Sequence, residues 1–416
     1  MSATVEAEVA KEHGSSMYSF INDVLTTIGP RESCSENERQ LGNWLKERWE
    51  NQGHRAHLER FECHPQAFLG CLPYVSMLYY VSFWYLHQNS PLEAAIFSGL
   101  ACAVVLFENV LYFQFVDPLF PKRAGFNVVA KIAPAQEVRQ RVVLSAHQDS
   151  AYEFNIWLWF KDAGVVVMVL SLGAAVVPFV GSLASLLTGQ EYVFLYYLAA
   201  ALIPFASLNF VFHTKNVVPG AMDNLAGLSV LDAVSSHFSS AKLQNTEIIL
   251  LATSSEEAGL RGAKSYVLVH KEELVNSDVS TFGIFVDGVY DERHLRIVTR
   301  ELCVLAKHSE VRSCWCDREI TKDQDLINVA QSVAKSNRLQ VRKCVIPFGA
   351  SDAAAFSIAG VPSLCLLCQD TTRLACNYHT RYDTIDRVRP EALVVSLQMT
   401  LGMLAALDVG ANAKQH

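Results

Sequence analysis

The sequence predicts an α/β protein: a central, largely parallel sheet covered by helices on both faces, with a four-helix transmembrane region inserted into it. Three observations lead there. Short β-branched runs alternate with helical patterns, the signature of parallel strands joined by crossover helices. Four apolar segments, each about the ~20 residues that span a bilayer, fall into two pairs. Acidic residues and histidines gather where the β-like runs end, the edge at which open α/β sheets carry their sites.

Taken in order, "MSATVEAEVAKEHGSSMYSF" lacks the basic start and apolar stretch of a secretory signal, so the chain is expected to begin in the cytosol. Ser35 and Glu38 form a capping box that opens a helix through "ENERQLGNWLKERWENQG", and Gly53 stops it. Apolar segments 67–86 and 94–116 follow, joined by "HQNSPLE"; segments 164–187 and 193–212 are joined by "TGQE". Each pair reads as a helical hairpin. Glu108 is the clearest ionisable residue within them, and Pro204 and Asn209 interrupt the fourth. Two hairpins return the chain to one side each time. Lys122, Arg123, Lys161 and Lys215 flank that side, and the far connectors hold no Lys or Arg, so the polar domain is expected to face the cytoplasm. The competing reading is that these helices cover a soluble core or a homo-oligomer interface.

The polar domain is thus expected at 1–66, 117–162 and 214–416, with hairpins at 67–116 and 163–213. Strands are expected at "FNVVAKI", "RVVLSAH", "TEIILLA", "FGIFVD", "KCVIPF" and "PSLCLLC", and helices over 224–238, 257–270 and 326–334. "EALVVSLQMTLGMLAAL", broken by Glu391 and Gln398, reads as a helix packed on the sheet and not as a fifth span.

Composition excludes several functions. A net charge of −8 without a basic stripe argues against nucleic acid as a partner. Eleven cysteines, odd in number and irregularly spaced, suit free thiols better than a disulfide framework. Cys365 and Cys368 form a C-x-x-C, but strand geometry sends their side chains to opposite faces, so no redox or structural-metal role is expected.

"VVLSAHQDS" places His147 and Asp149 just past a strand, and "PGAMDNLAG" places Asp223 in a turn before a helix. "LLATSSEEAGL" adds Glu256 and Glu257, "FGIFVDG" adds Asp287, and "NYHTRYDT" adds His379 and Asp383. Singly, each has an ordinary structural use, as a core histidine, a helix cap or a turn former. Together they cannot be buried unpaired, because several like charges in low dielectric cost several kcal/mol or change protonation. A divalent cation resolves this, and mixed His and carboxylate ligands without Cys suit catalytic zinc, with manganese or cobalt as alternatives.

The series H-x-D, G-A-x-D-N, E-E-x-G-L-x-G, strand-end Asp and Y-H-T-x-x-D resembles the co-catalytic di-zinc exopeptidases, which include bacterial leucyl aminopeptidases, aminopeptidase S and the glutamate carboxypeptidases. "IGPRESCSENE" and "FGASDAAAFSIAGVPSL" resemble further segments of that family. The resemblance implies a three-layer α/β/α fold and two zinc ions. Asp223 would bridge them, His147 and Asp287 completing one metal and Glu257 and His379 the other. Glu256 would be the general base, Asp149 would fix the tautomer of His147, and Tyr378 would stabilise the oxyanion. Asp383 is expected to orient the His379 turn and Asp352 to organise the pocket wall.

The implied activity is membrane-embedded hydrolysis of peptide or related amide bonds, most simply by an aminopeptidase. A non-catalytic membrane scaffold, a lipid-amide hydrolase and a glutaminyl-cyclase-like transferase stay open. Arg261, Arg373 and Arg381 are candidates for a substrate carboxylate, with surface salt bridges as the competing reading. Both hairpins depart from the family pattern and emerge beside the site, where they would admit an amide from the bilayer or exclude long peptides.

Overall fold

A computed structural model describes residues 3–307, 326–371 and 377–413. Its strands are β1 (Arg55–Cys63), β2 (Arg123–Ile132), β3 (Gln140–His147), β4 (Tyr152–Phe154), β5 (His213–Val217), β6 (Thr246–Thr253), β7 (Ser280–Val289), β8 (Leu295–Glu301), β9 (Ala306–Lys307), β10 (Arg342–Ile346) and β11 (Ser363–Cys368). Nine of them form one sheet in the order β1-β2-β6-β3-β7-β11-β8-β10, with β9 on β8; β4 and β5 form a separate ribbon. The centre, β6-β3-β7-β11, is parallel, whereas β2 and β8 run antiparallel to it and mark the approach to each edge.

All six strands expected from the sequence are present. β1 and β8 were not expected, because "RAHLERFEC" and "LRIVTRE" carry the charges of partly exposed strands and lack a continuous apolar run.

The sheet separates two apolar layers. Val142 and Leu144 of β3 face a core shared with helices Glu36–Asn51, Ala226–His237 and Pro390–Ala413, while Val143 faces the core of helices Arg261–Val269 and Asp352–Ala359. Alternation along one strand thereby fastens both layers. Cys368 and Cys365 split between the same two cores, as strand geometry requires. Helix Pro390–Ala413 belongs to the first: the apolar window in Pro390–Ala411 is 72% buried, against 17–39% in the other four apolar helices.

Those four, Ala67–His87, Pro91–Val110, Asn155–Thr188 and Val193–Val211, are each long and apolar enough to cross a membrane. Their boundaries differ from expectation in two places. The second helix ends at Val110 because the chain turns through Tyr112 and Gln114, both at positive φ, and Val116 N donates to Glu108. The third begins at Asn155 and is broken near Lys161 and Ala174.

Their packing is inverted relative to a soluble bundle. Trp84, Ile96, Val166, Leu187 and Phe194 point outward, while Ser76, Ser82, Ser98, Ser171, Ser182 and Asn209 are buried between helices. Ser76 Oγ donates to Ala206 O at 2.6 Å, and Ser171 Oγ to Asn209 Oδ1 at 2.6 Å. Small and polar residues holding helices together beneath an apolar exterior are the pattern of bilayer packing.

Candidate metal centre

Three parallel strands deliver the site at their C-terminal ends. His147 closes β3, Asp287 lies near the end of β7, and Glu256 and Glu257 follow β6 on a loop. The helix expected from 257 therefore starts only at Arg261, leaving the two glutamates free of helical constraint. Asp223 sits in the turn before helix Ala226–His237; its peptide bond to Asn224 is cis. Gly220 shapes that turn: it lies at φ +68°, and a side chain there would collide with Ser150 and Arg31.

Asp223 stands at the centre. Its Oδ1 lies 2.9 Å from His147 Nε2, which is in turn 3.6 Å from Asp287 Oδ1. Its Oδ2 lies 3.3 Å from His379 Nε2, which is 3.2 Å from Glu257 Oε2. One carboxylate thus presents one oxygen to each of two histidine–carboxylate pairs. His147, Asp223 and Glu257 can offer ligand atoms within 4.8 Å of one another.

The electrostatics fit a cation. Glu257 Oε1 and both ring nitrogens of His379 are buried without a hydrogen-bond partner among the described residues. Burial resists charge on His379, yet Glu257 and Asp223 push its pKa up to about 10. Burial likewise opposes ionisation of Asp223, but His147 and His379 hold its carboxyl below the usual range. The carboxylates call for positive charge, which protons on the imidazoles or divalent cations supply. An N/O donor set without thiolate fits zinc.

Glu256 is buried, which raises its pKa well above the usual carboxylate value, with Glu257, Asp352 and Asp287 adding to the rise. Its backbone is fixed by Asp149, whose Oδ1 accepts from Glu256 N at 3.0 Å and whose Oδ2 accepts from Glu257 N at 3.1 Å. Asp149 Oδ1 is also 3.4 Å from His147 Nδ1. One buried carboxylate therefore positions three site residues. Asp149→Asn should lower zinc affinity by about 10–100-fold, read by competition with a chelator; unchanged affinity would reduce Asp149 to a turn former.

The structure distributes the remaining candidates as follows. Tyr378 stacks on His379 at 3.8 Å and packs against the apolar helical bundle; burial and the nearby carboxylates keep its phenol protonated. Asp383 lies in the His379 turn, but its carboxylate reaches across to Met222 N (2.6 Å) and Asp223 N (3.3 Å), so it ties that turn to the Asp223 loop. Asp352, at the start of its helix, bonds Thr253 at the end of β6; burial raises its pKa to about 7.

Arg261 is neither a surface residue nor free for a substrate carboxylate. It is buried, with Nη2 2.9 Å from Glu108 Oε1 and Nη1 2.6 Å from Asp117 Oδ2. Arg381 makes an ion pair with buried Glu153 at 2.6 Å, and Arg373 lies outside the described residues.

Supporting residues were missed within "IGPRESCSENE". Ser33 Oγ donates to Asp149 Oδ2 at 2.6 Å, and the Arg31 guanidinium donates to the carbonyls of Gln148, Pro219 and Gly220. Glu38 does not complete the capping box. Ser35 Oγ accepts from Glu38 N, but the Glu38 carboxylate accepts from Cys34 N and from Ser255 N beside Glu256. The motif was visible in sequence; its task, holding two loops, depends on contacts more than a hundred residues away.

The ribbon β4-β5 joins the two ends of the second apolar insertion. Phe154 N donates to His379 O at 2.8 Å and its ring stands edge-on to the imidazole, so the base of that insertion clamps the His379 loop.

Comparison with known proteins agrees with this geometry. The model of peptidase family M28 matches residues 207–403, a stretch that contains Asp223, Glu256, Glu257, Asp287 and His379. No curated protein matches the chain. Among solved structures, the aminopeptidase from Aneurinibacillus sp. strain AM-1 is similar at 12% identity and TM-score 0.55, over 96% of this chain and 95% of that one. The zinc aminopeptidase BSAP from Bacillus subtilis is similar at 14% identity and TM-score 0.54, over 94% of each. A glutaminyl cyclase from Bacteroides thetaiotaomicron is similar at 12% identity and TM-score 0.53, over 94% of this chain and 97% of that one. The resemblance to the co-catalytic zinc exopeptidases is borne out, with residues 207–403 carrying the sequence pattern of peptidase family M28.

Proposed function

We propose that this protein is a membrane-embedded di-zinc metallohydrolase of peptide or related amide bonds, most simply an aminopeptidase, with its catalytic domain facing the cytoplasm. The observation that carries the reading is Asp223, whose two oxygens each face a separate histidine–carboxylate pair. His147, Asp223 and Asp287 would hold one ion, and Asp223, Glu257 and His379 the other. Zinc, when bound, acidifies water toward neutral pH and polarises the substrate carbonyl. Glu256 accepts a proton from the attacking water, whose oxygen bonds to the carbonyl carbon. As the C–N bond breaks, Glu256 returns the proton to the leaving nitrogen. The Tyr378 phenol is a donor for the developing oxyanion.

Elemental analysis of protein purified in mild detergent tests this. The expected result is about two zinc ions per chain, falling to about one with His147→Ala or Asp287→Ala, together with hydrolysis of aminoacyl amides. One ion in the wild type would favour a cyclase-like transfer, and none a scaffold. Manganese or cobalt in place of zinc would leave the ligand assignment intact.

Membrane insertion is supported by the four apolar helices and their outward-facing side chains. Orientation rests on Lys122, Arg123, Lys161 and Lys215. A cysteine placed at Gln190 should react with an impermeant reagent from outside intact cells; labelling only after lysis would reverse the topology.

A further inference from the structure

A cavity of about 430 Å³ opens beside Glu257. Much of its remaining wall comes from segments at the ends of the insertions: Leu69 at the start of the first, Phe120 just after it, Tyr152 and Phe154 before the second, and Lys215 after it. The volume lies within the range of small-molecule sites, and a compact space of that size is about 9 Å across, close to the ~7 Å of two extended residues.

Its charges are unbalanced. Arg123 Nη1 lies 3.3 Å from Glu32 Oε1, which also accepts from Tyr152 OH at 2.7 Å. Lys215 lines the same space and forms no ion pair among the described residues. With Glu257 directed to the metal centre, two cations face one carboxylate, and that carboxylate is already bonded. Apolar lining together with a surplus cation, beside the scissile position, selects a ligand that is apolar and singly anionic.

Resting on the hydrolase reading above, we infer that this cavity binds the end of a small amide substrate that carries a carboxylate within one residue of the scissile bond. Lys215, aided by Arg123, holds that carboxylate, and Leu69, Phe120 and Phe154 take the apolar group. A dipeptide and an N-acyl amino acid share this chemistry. A long peptide does not, because its carboxylate lies beyond the cavity. The segments at the bases of the two insertions thus set substrate size.

The test uses zinc-loaded Glu256→Gln protein in detergent, so that ligands bind without turnover. Titration calorimetry compares leucyl-leucine with leucyl-leucinamide, and N-octanoyl-leucine with its carboxamide. The free acid of at least one pair should bind about 10–100-fold more tightly, the factor expected of a charge-assisted hydrogen bond. Adding Lys215→Gln, or Arg123→Gln, should shrink that ratio toward parity. Preference in the dipeptide pair alone identifies a peptide source; preference in the acyl pair alone identifies an acylated amino acid. Equal affinity within each pair overturns the inference and leaves the cations to lipid headgroups, and so does absence of binding by all four. Turnover of the same compounds by the wild type is read separately. Carboxylate-selective binding without turnover would sink the hydrolase and keep the site, whereas turnover without selectivity does the reverse.

Discussion

Glu256→Gln lowers kcat by about 10²–10⁴-fold and leaves the zinc content at the wild-type level. The size follows from the role: the side chain keeps its volume and loses only its ability to accept a proton. Unchanged zinc follows from geometry, since the pairs His147–Asp287 and His379–Glu257 each meet Asp223 through the histidine, and neither pair includes Glu256. The neighbouring Glu257→Gln should instead lose metal, because its Oε2 faces His379. That contrast between adjacent glutamates separates proton transfer from ligation. Steady-state kinetics alongside elemental analysis reads it. Activity within tenfold of wild type for Glu256→Gln would remove the general base from the mechanism, and a loss of zinc would make Glu256 a ligand.

The second large effect lies away from the metals. Arg261→Met should destabilise the protein by about 3–5 kcal/mol, because it leaves Glu108 and Asp117 as unpaired charges out of water. The Arg261 and Glu108 side chains are each only 1% exposed. Arg261 Nε also donates to Ala258 O at 2.8 Å, just past Glu257, so the same residue links the end of the second apolar helix to the loop that carries both glutamates. Removing all three charges together, as Glu108→Gln, Asp117→Asn and Arg261→Met, should recover most of the loss, since replacing a whole buried ionic group is often nearly neutral. Thermal unfolding in detergent measures both variants. A single variant that melts within ~1 °C of wild type would mean that water already reaches the triad.

Glu108 and Arg261 also mark a limit of sequence reading. Glu108 was legible as an acid that needs a partner, but Arg261 is 153 residues away, and no local pattern pairs them. The strands that carry ligands were legible because buried parallel strands are continuous apolar runs and their ends hold acids and histidines in short motifs. β1 and β8 were not, because partial exposure gives them charged residues that resemble loops. Helix 257–270 was placed too early for a related reason. Glu256 and Glu257 look like the acidic first turn of a helix, and only the hydrogen bonds that their amides donate to Asp149 reveal a loop held from the end of the neighbouring strand.

The sequence alone determined the α/β alternation, the four apolar helices in two pairs, and the set of residues able to meet at the strand ends. These depend on periodicity, length and residue chemistry, which act locally along the chain. The tertiary structure alone decided that Asp223 faces both histidines, that Asp149 and Glu38 steady the glutamate loop, that Arg261 is buried in a triad, and that Lys215 shares a cavity with Glu257. Each of these relations joins segments far apart in the chain, and their distances are set by sheet order and helix packing, which no local pattern contains.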